Sequence, residues 1–259
     1  MTWAPQLEAV ARIASSEERI AQYTRLLEHA LHDTPSASLP FLVRTYVDGA
    51  VLDPVNTTGA GLLVGRHMLA HLATQLAAAH IPANILCTIV SDTLATCEAS
   101  SIMGDDELGP WRVLLAEQYA SLSRWRDAAQ ALQSITPHAA RRIPQLSFAQ
   151  LCVRVVELWL HDLPSHVAEA EQAIKRANSA ILDERDNKAL VHELWSYHAR
   201  VLAIQHRFME TAARYMDLPH ADMYAAVYAI ISPPSAQRTS MLTRLAQRAS
   251  AWPFAQTLH

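Results

Sequence analysis

The residues of this chain that could do chemistry are first its histidines. His67 and His71 lie four residues apart in GRHMLAHLATQL, and on a helix this spacing can place two imidazoles on one metal ion. The stretch HMLAH lacks the glutamate of H-E-x-x-H, which supplies the general base of a metalloprotease. We therefore predict no metal centre here and no cofactor elsewhere in the chain.

Nucleophilic and phosphate-binding motifs are also missing. Cys87, Cys97 and Cys152 form no C-x-x-C pair, and their apolar helical settings favour buried, inert thiols. The chain has no G-x-S-x-G, and TTGAGLLVG lacks the lysine of a P-loop. An odd number of cysteines argues against a disulfide framework and predicts a reducing compartment. The sequence predicts a protein without catalytic activity.

Basic segments raise the alternative of nucleic-acid binding. They are RWR at 124–126, RRIPQ at 141–145, and QRTSMLTRLAQR with Arg238, Arg244 and Arg248. The net charge of -4 and the pI near 6.3 give no overall attraction to phosphate backbones. This balance favours solvated helix surfaces, with the three arginines of the last segment as candidates for a protein interface.

The elements that carry these residues are predicted to be helices. The chain is 51% hydrophobic and 18% charged and has only six glycines among its 259 residues, which favours an all-α fold. MTWAPQLEAV has no basic segment followed by an apolar run, and no stretch approaches the roughly 18 apolar residues of a membrane span. We expect neither secretion nor membrane insertion.

Apolar periodicity and turn residues divide the chain into helices of ordinary length. The segment ASSIMGDDELGP at 99–110 is predicted to be a loop. The predicted helices are 5–13, 16–31, 41–51, 62–80, 82–98, 111–121, 125–135, 148–160, 165–181, 189–206, 208–216, 222–231 and 235–249.

Three of these helices share a repeated pattern. Trp125, Val167 and Phe208 are 42 and 41 residues apart, a period within the roughly 40 to 47 residues of HEAT-like units. Large, small and large residues recur at positions one, four and eight and lie on one side of a helix. This predicts a right-handed α-solenoid of helical hairpins with a buried seam. The predicted seam residues are Trp125, Ala128, Ala129, Leu132, Val167, Ala170, Ile174, Phe208, Ala212 and Tyr215.

Four blocks of sequence resemble a known family. SRWRDAAQAL, RVVELWLHDLPSHVAEAEQAIKRAN, LWSYHARVLAIQHRFMETAARY and AVYAIISPPSAQRTSMLTRL are similar, in order and spacing, to the fourth subunits of the COP9 signalosome, which are PCI-domain proteins. LLVGRHMLAHLATQL and YTRLLEHAL look like the early helices of that family. The resemblance covers nearly the whole chain.

The resemblance implies a domain organisation. Members of the family have an arm of helical repeats followed by a PCI domain, which combines a helical part with a winged helix. We expect an N-terminal arm at 1–110, further repeats at 111–220 and the start of the PCI helical region at 221–259. The sequence stops after QRASAWPFAQTLH, so the winged helix is expected to be missing.

The resemblance also implies a function. The signalosome removes Nedd8 from cullins, and its isopeptidase activity belongs to a different, metal-binding subunit. This chain is therefore expected to be a scaffold that senses the cullin-RING ligase, with other signalosome subunits as partners, in cytoplasm and nucleus. Two alternatives stay open: the corresponding PCI subunit of the proteasome lid, and a free-standing helical-repeat adaptor.

Overall fold

The structure is a computed structural model that describes residues 3–143, 146–182 and 187–249. Throughout these residues, all of the regular secondary structure is helical. The prediction of an all-α protein is therefore confirmed. Among the described residues, no helix combines the length and the apolar character needed to cross a membrane.

The chain divides into two compact units, Met1–Phe148 and Ala149–His259. The division at 110 and 220 stays a prediction. The first unit contains nine helices in its described residues, joined by short turns that include a π-helical turn at Val47–Val51. Its helices are α1 (Ala4–Ala11), α2 (Ser16–Asp33), α3 (Leu39–Tyr46), α4 (Pro54–Thr57), α5 (Leu62–Ala78), α6 (Ala83–Ser100), α7 (Asp105–Ser121), α8 (Trp125–Gln133) and α9 (Pro137–Ala140).

One apolar core holds the first unit together. Helix α2 packs against α5, α3 against α6, α6 against α7 and α7 against α8. Tyr23, Met68 and Trp111 are among its largest fully buried side chains. Each comes from a different helix, so burial of apolar surface ties α2, α5 and α7 into one body.

A buried polar cluster lies within this core. The Arg19 guanidinium on α2 donates through Nη1 to Asn56 Oδ1 on α4, at 2.8 Å. Asn56 Nδ2 donates in turn to the Tyr23 hydroxyl, at 3.2 Å, and to the Ala50 carbonyl, at 3.0 Å. Asn56 is completely buried and Arg19 is 5% exposed. A buried charge is costly without partners. Asn56 and Ser16, whose Oγ accepts from Arg19 Nη2 at 3.2 Å, both offset the cost of burying Arg19.

The predicted loop at 99–110 is wrong in its second half, since α7 begins at Asp105. The Gly104 amide donates to Glu107 Oε2 at 3.0 Å, and three acidic residues fill the first turn, where the helix dipole favours negative charge. Pro110 lies inside the helix. Two glycines and a proline suggested a break, but the cap and the acidic first turn outweigh the single hydrogen bond that Pro110 removes.

The second unit stacks its helices in sequence order. Its helices are α10 (Phe148–Leu160), which begins at the last residue of the first unit, α11 (Val167–Leu182), α12 (Lys188–Ile204), α13 (Phe208–Met216), α14 (Asp222–Ile231) and α15 (Ala236–Ala249). Helix α11 packs against α12, α12 against α13, α13 against α14 and α14 against α15. Packing of each helix on its neighbours in the chain is the pattern of an α-solenoid, so the predicted solenoid-like stacking is confirmed within this unit.

The same tight turn joins α7 to α8 and α12 to α13. Ser123 and His206 adopt left-handed backbone conformations, with φ of 58° and 60°. The next amide donates to the carbonyl five residues earlier, at 2.8 Å after Ser123 and 3.0 Å after His206, which is the Schellman arrangement. The following helices begin at Trp125 and Phe208. The repeat of the sequence is therefore also a repeat of backbone geometry.

Candidate interaction surface

Helix α14 exposes a row of large apolar side chains. Its sequence DMYAAVYAII has one charged residue, Asp222, at the first position. Ala225 and Ala229 are fully buried in a core shared with α13 and α15. On the remaining surface five side chains are 51% to 62% exposed, and we call them the α14 apolar face. They are Met223, Tyr224, Val227, Ile230 and Ile231.

Exposed apolar side chains elsewhere are more scattered. In the first unit, Phe41, Val55 and Leu63 are exposed on three different helices, α3, α4 and α5. Single exposed apolar residues are ordinary on protein surfaces. A row on one helix, with spacings of four and seven residues from Met223 to Val227 and Ile230, forms a contiguous patch, and such patches mark interaction sites.

Tyr215 on α13 extends this face through its contacts with Tyr224 and Tyr228 of α14. The ring of Tyr215 stacks on that of Tyr228, with centroids 5.6 Å apart and ring planes 9° from parallel. The ring of Tyr215 also lies 5.5 Å from that of Tyr224. Burial raises the pKa of Tyr215 above its usual value near 10, so its hydroxyl stays neutral at physiological pH. The tyrosine row, Tyr215, Tyr224 and Tyr228, shares Tyr224 with the α14 apolar face and adds uncharged aromatic surface to it.

An ion pair neutralises the one carboxylate of α14. Arg248 Nη1, near the end of α15, lies 3.0 Å from Asp222 Oδ1 and also donates to the Met216 carbonyl at 3.0 Å. This contact fixes the end of α15 beside the start of α14. Arg248 is therefore engaged within the second unit, although the sequence made it a candidate for an interface.

The other two candidate arginines on α15 differ from Arg248. Arg238 is half-buried, and Arg244 is exposed and lines a groove of about 530 Å³ between α13 and α15. Neither arginine forms an ion pair with any part of the chain that the structure describes. Their role at an interface stays a prediction.

Three known proteins similar to this chain share one name. COP9 signalosome complex subunit 4 of Caenorhabditis elegans is 29% identical, in a match that covers 74% of this chain and 51% of the relative. The Arabidopsis thaliana protein of that name is 25% identical, in a match that covers 81% of this chain and 49% of the relative. The Drosophila melanogaster protein is 24% identical, in a match that covers 88% of this chain and 56% of the relative. The chain is similar to COP9 signalosome subunit 4. The resemblance predicted from the sequence is confirmed.

Two further facts limit what this similarity covers. No model of a protein family matches the chain. The chain also spans only about half the length of the subunit 4 relatives it matches.

The residues of the predicted seam lie at two depths. Its small and aliphatic members are buried, and its four largest or first-turn members are half-buried. The buried ones are Ala128, Ala129, Leu132, Ala170, Ile174 and Ala212; the half-buried ones are Trp125, Val167, Phe208 and Tyr215. Helices α8, α11 and α13 begin at Trp125, Val167 and Phe208. A first-turn side chain leans back beyond the end of its helix, which leaves part of it uncovered.

The candidate catalytic residues do not assemble into a site. His67 is exposed and His71 half-buried on α5, and no group of three metal-ligating side chains exists among the described residues. All three cysteines are free and buried. Burial raises the pKa of Cys97 and of Cys152 to about 11. At neutral pH these two thiols are protonated and therefore weak nucleophiles.

Two of the arginines considered for nucleic-acid binding form ion pairs with carboxylates of the same chain. Arg124 lies 2.7 Å from Asp127, and its guanidinium lies 4.4 Å from the centre of the Tyr119 ring. Arg142 pairs with Asp106 at 3.4 Å and with Glu107 at 3.3 Å. Part of the RRIPQ segment, residues 144–145, lies outside the described residues. These contacts favour a structural role for both arginines.

The α14 apolar face was missed by sequence reasoning, although helix 222–231 was predicted with the correct bounds. Its one available signal was composition, because a ten-residue helix with a single charged residue is apolar on all sides. That signal predicts full burial and cannot say which side a neighbouring helix leaves open.

Proposed function

We propose that this chain is a non-catalytic scaffold subunit of a COP9-signalosome-type complex and senses the cullin-RING ligase whose cullin the complex releases from Nedd8. The observation that carries the proposal is the similarity to subunit 4 from worm, plant and fly, over 74% to 88% of the chain. Its partners would be other signalosome subunits, including the isopeptidase pair, and the ligase itself. It would act in cytoplasm and nucleus.

The surface chemistry of the second unit supports an assembly role. A scaffold needs exposed apolar surface that other chains can bury. The α14 apolar face and the tyrosine row provide such surface on a helix held by α13 and α15. The buried, protonated thiols of Cys97 and Cys152 offer no activated nucleophile, which agrees with a non-catalytic role.

Affinity purification of the tagged full chain from its own cells tests the proposal. We expect signalosome subunits, including the isopeptidase, and cullins to co-purify. Recovery of proteasome lid subunits instead would support the lid alternative, and recovery of neither would support a free-standing adaptor. Either result would refute the proposal. Cell fractionation in the same experiment tests for the chain in both cytoplasm and nucleus.

An activity assay tests the non-catalytic part separately. The purified chain, incubated with a neddylated cullin and zinc, should release no Nedd8. Release that disappears in the His67→Ala or His71→Ala variant would show that these histidines form a catalytic site, contrary to the proposal. Release that both variants retain would indicate a contaminating isopeptidase, which an active-site inhibitor of that enzyme would abolish.

A further inference from the structure

The α14 apolar face has the dimensions of a helix-binding surface. Met223, Val227 and Ile230 follow one side of a ten-residue helix, which is about 15 Å long. Apolar residues at these spacings interlock with the side chains of another helix that crosses them. The backbone of α14 is satisfied within its own helix, so it offers no strand edge and favours side-chain packing as the mode of recognition.

The tyrosine row gives this surface the composition of a protein interface. Tyrosine, methionine and arginine are enriched at the centres of protein interfaces, whereas charged carboxylates and lysine are depleted. The ring of Tyr215 stacks on that of Tyr228 and contacts the tilted ring of Tyr224, so these rings are already ordered. An ordered aromatic surface loses little entropy when a partner covers it.

Two arginines give the surface a positive edge. Arg200 on α12 is exposed, and its positive charge acts on the Tyr215 hydroxyl. Arg214 on α13 is half-buried, one residue before Tyr215. Neither forms an ion pair with the residues described here, whereas the neighbouring Arg207 lies 2.5 Å from Glu210 and 3.7 Å from Glu171. Arg200 therefore leaves an unpaired positive charge next to the tyrosine row, whereas part of the field of Arg214 acts on Glu210.

We propose that this surface binds an amphipathic helix of a partner protein, with apolar residues on the contacting side and glutamate or aspartate along the flank that faces Arg200 and Arg214. The apolar residues would pack on Met223, Val227 and Ile230, and the carboxylates would pair with the two arginines. The inference rests on the proposed function in one respect, namely that the chain works by assembling with other proteins. It adds the kind of partner segment and the surface that receives it.

Fluorescence anisotropy with two designed peptides tests the inference on the purified full chain. Both probes are labelled helices of about 20 residues, long enough to form several turns. Both carry leucine on one side, and they differ only in having glutamate or lysine along one flank. We expect the glutamate peptide to bind saturably and at least tenfold more tightly than the lysine peptide. This preference should shrink as salt rises, because salt screens exposed charges.

Three variants localise the binding. Val227→Asp places a charge in the α14 apolar face and should lower the affinity for the glutamate peptide at least tenfold. Leu63→Asp, a matched change at an exposed apolar residue of the first unit, should leave the affinity unchanged. Arg200→Glu should reverse the preference in favour of the lysine peptide. Circular dichroism melting of each variant shows that it is folded before its affinity is compared.

The opposite results would overturn the inference. Equal binding of both peptides, or affinity unchanged by Val227→Asp, would reject this site and this partner chemistry. Self-association in sedimentation that Val227→Asp abolishes would assign the surface to a second copy of the chain, and binding to lipid vesicles alone would assign it to a membrane. Failed peptide binding with intact co-purification of signalosome subunits rejects only this inference. Peptide binding without that co-purification rejects the proposed function.

Discussion

Replacing Asn56 should cost the protein more stability than its size suggests. The Asn56→Ala change removes the acceptor of the 2.8 Å hydrogen bond from Arg19 Nη1 and the donor of the bonds to Tyr23 and Ala50. A hydrogen bond to a charged group is worth roughly 1.5 to 3 kcal/mol and each neutral one about 1 kcal/mol. Because Asn56 is completely buried, water does not replace these partners. We expect a loss of about 3 to 5 kcal/mol.

Denaturant unfolding followed by circular dichroism measures this loss directly. A change of this size corresponds to a fall of roughly 10 °C in melting temperature for a chain of this length. Asn84→Ala is the matched control, since Asn84 lies exposed on α6 in the same unit. Its free energy of unfolding should change by no more than about 0.5 kcal/mol.

A double-mutant cycle tests the reason for the loss. In the Arg19→Met background no buried charge needs Asn56, so Asn56→Ala should cost about 2 kcal/mol less than in the natural chain. Additive costs would show that Arg19 and Asn56 do not depend on each other. A loss for Asn56→Ala no larger than for Asn84→Ala would refute the whole argument.

Two further predictions concern the backbone conformation of Ser123 and the pKa of His198. Ser123 has a left-handed backbone conformation, with φ of 58°, that favours glycine, so Ser123→Gly should stabilise the protein by about 0.5 to 1 kcal/mol. Ser121→Gly, inside the last turn of α7, should destabilise it by a similar amount, as thermal melting would show. Burial, followed by the charges of nearby arginines, lowers the pKa of His198 below its usual 6.5. As the pH falls through that usual value, the unfolded chain therefore binds the proton before the folded chain does, and stability decreases. Urea unfolding between pH 7.5 and 5.5 should show a smaller decrease for His198→Gln than for the natural chain; an unchanged pH dependence would contradict this role.

The sequence predicted the starts of helices well where the same residue pattern recurs at a fixed spacing along the chain. Trp125, Val167 and Phe208 were aligned by their spacing alone, and each is the first residue of its helix in the structure. That agreement has a physical cause. The left-handed turn before Trp125 and before Phe208 fixes the direction of the chain, so the aromatic residue takes the same place in both hairpins.

Local sequence signals gave a wrong prediction at the start of α7, where helix-breaking and helix-capping residues occur together. Gly104 and Pro110 suggested a loop, yet Glu107 caps the helix that contains Pro110. The Glu107 half of a capping box was visible in the sequence as GDDE and could have located the start of α7. The burial of Arg19 on Asn56 had no such signal, because it joins residues 37 positions apart through tertiary packing.

The interaction surface lay beyond sequence reasoning for a different reason. Apolar periodicity predicts that a side of a helix is covered, but not which chain covers it. Met223 and Ala225 are both apolar residues of α14, and only the position of α13 and α15 makes one exposed and the other buried. A surface meant for a partner therefore resembles core until the neighbouring helices are placed.

The arginines of this chain show how one residue type serves two purposes. Arg124 and Arg207 each precede a helix and are followed three residues later by an acidic side chain, and both pair with it, at 2.7 and 2.5 Å. These pairs support the first turns of α8 and α13. Arg200 is followed at that spacing by Ala203, and it forms no ion pair with the described part of the chain. An arginine with no carboxylate three or four residues away on its own helix keeps its charge available. Beside an uncovered apolar face, that charge can select the partner that binds there.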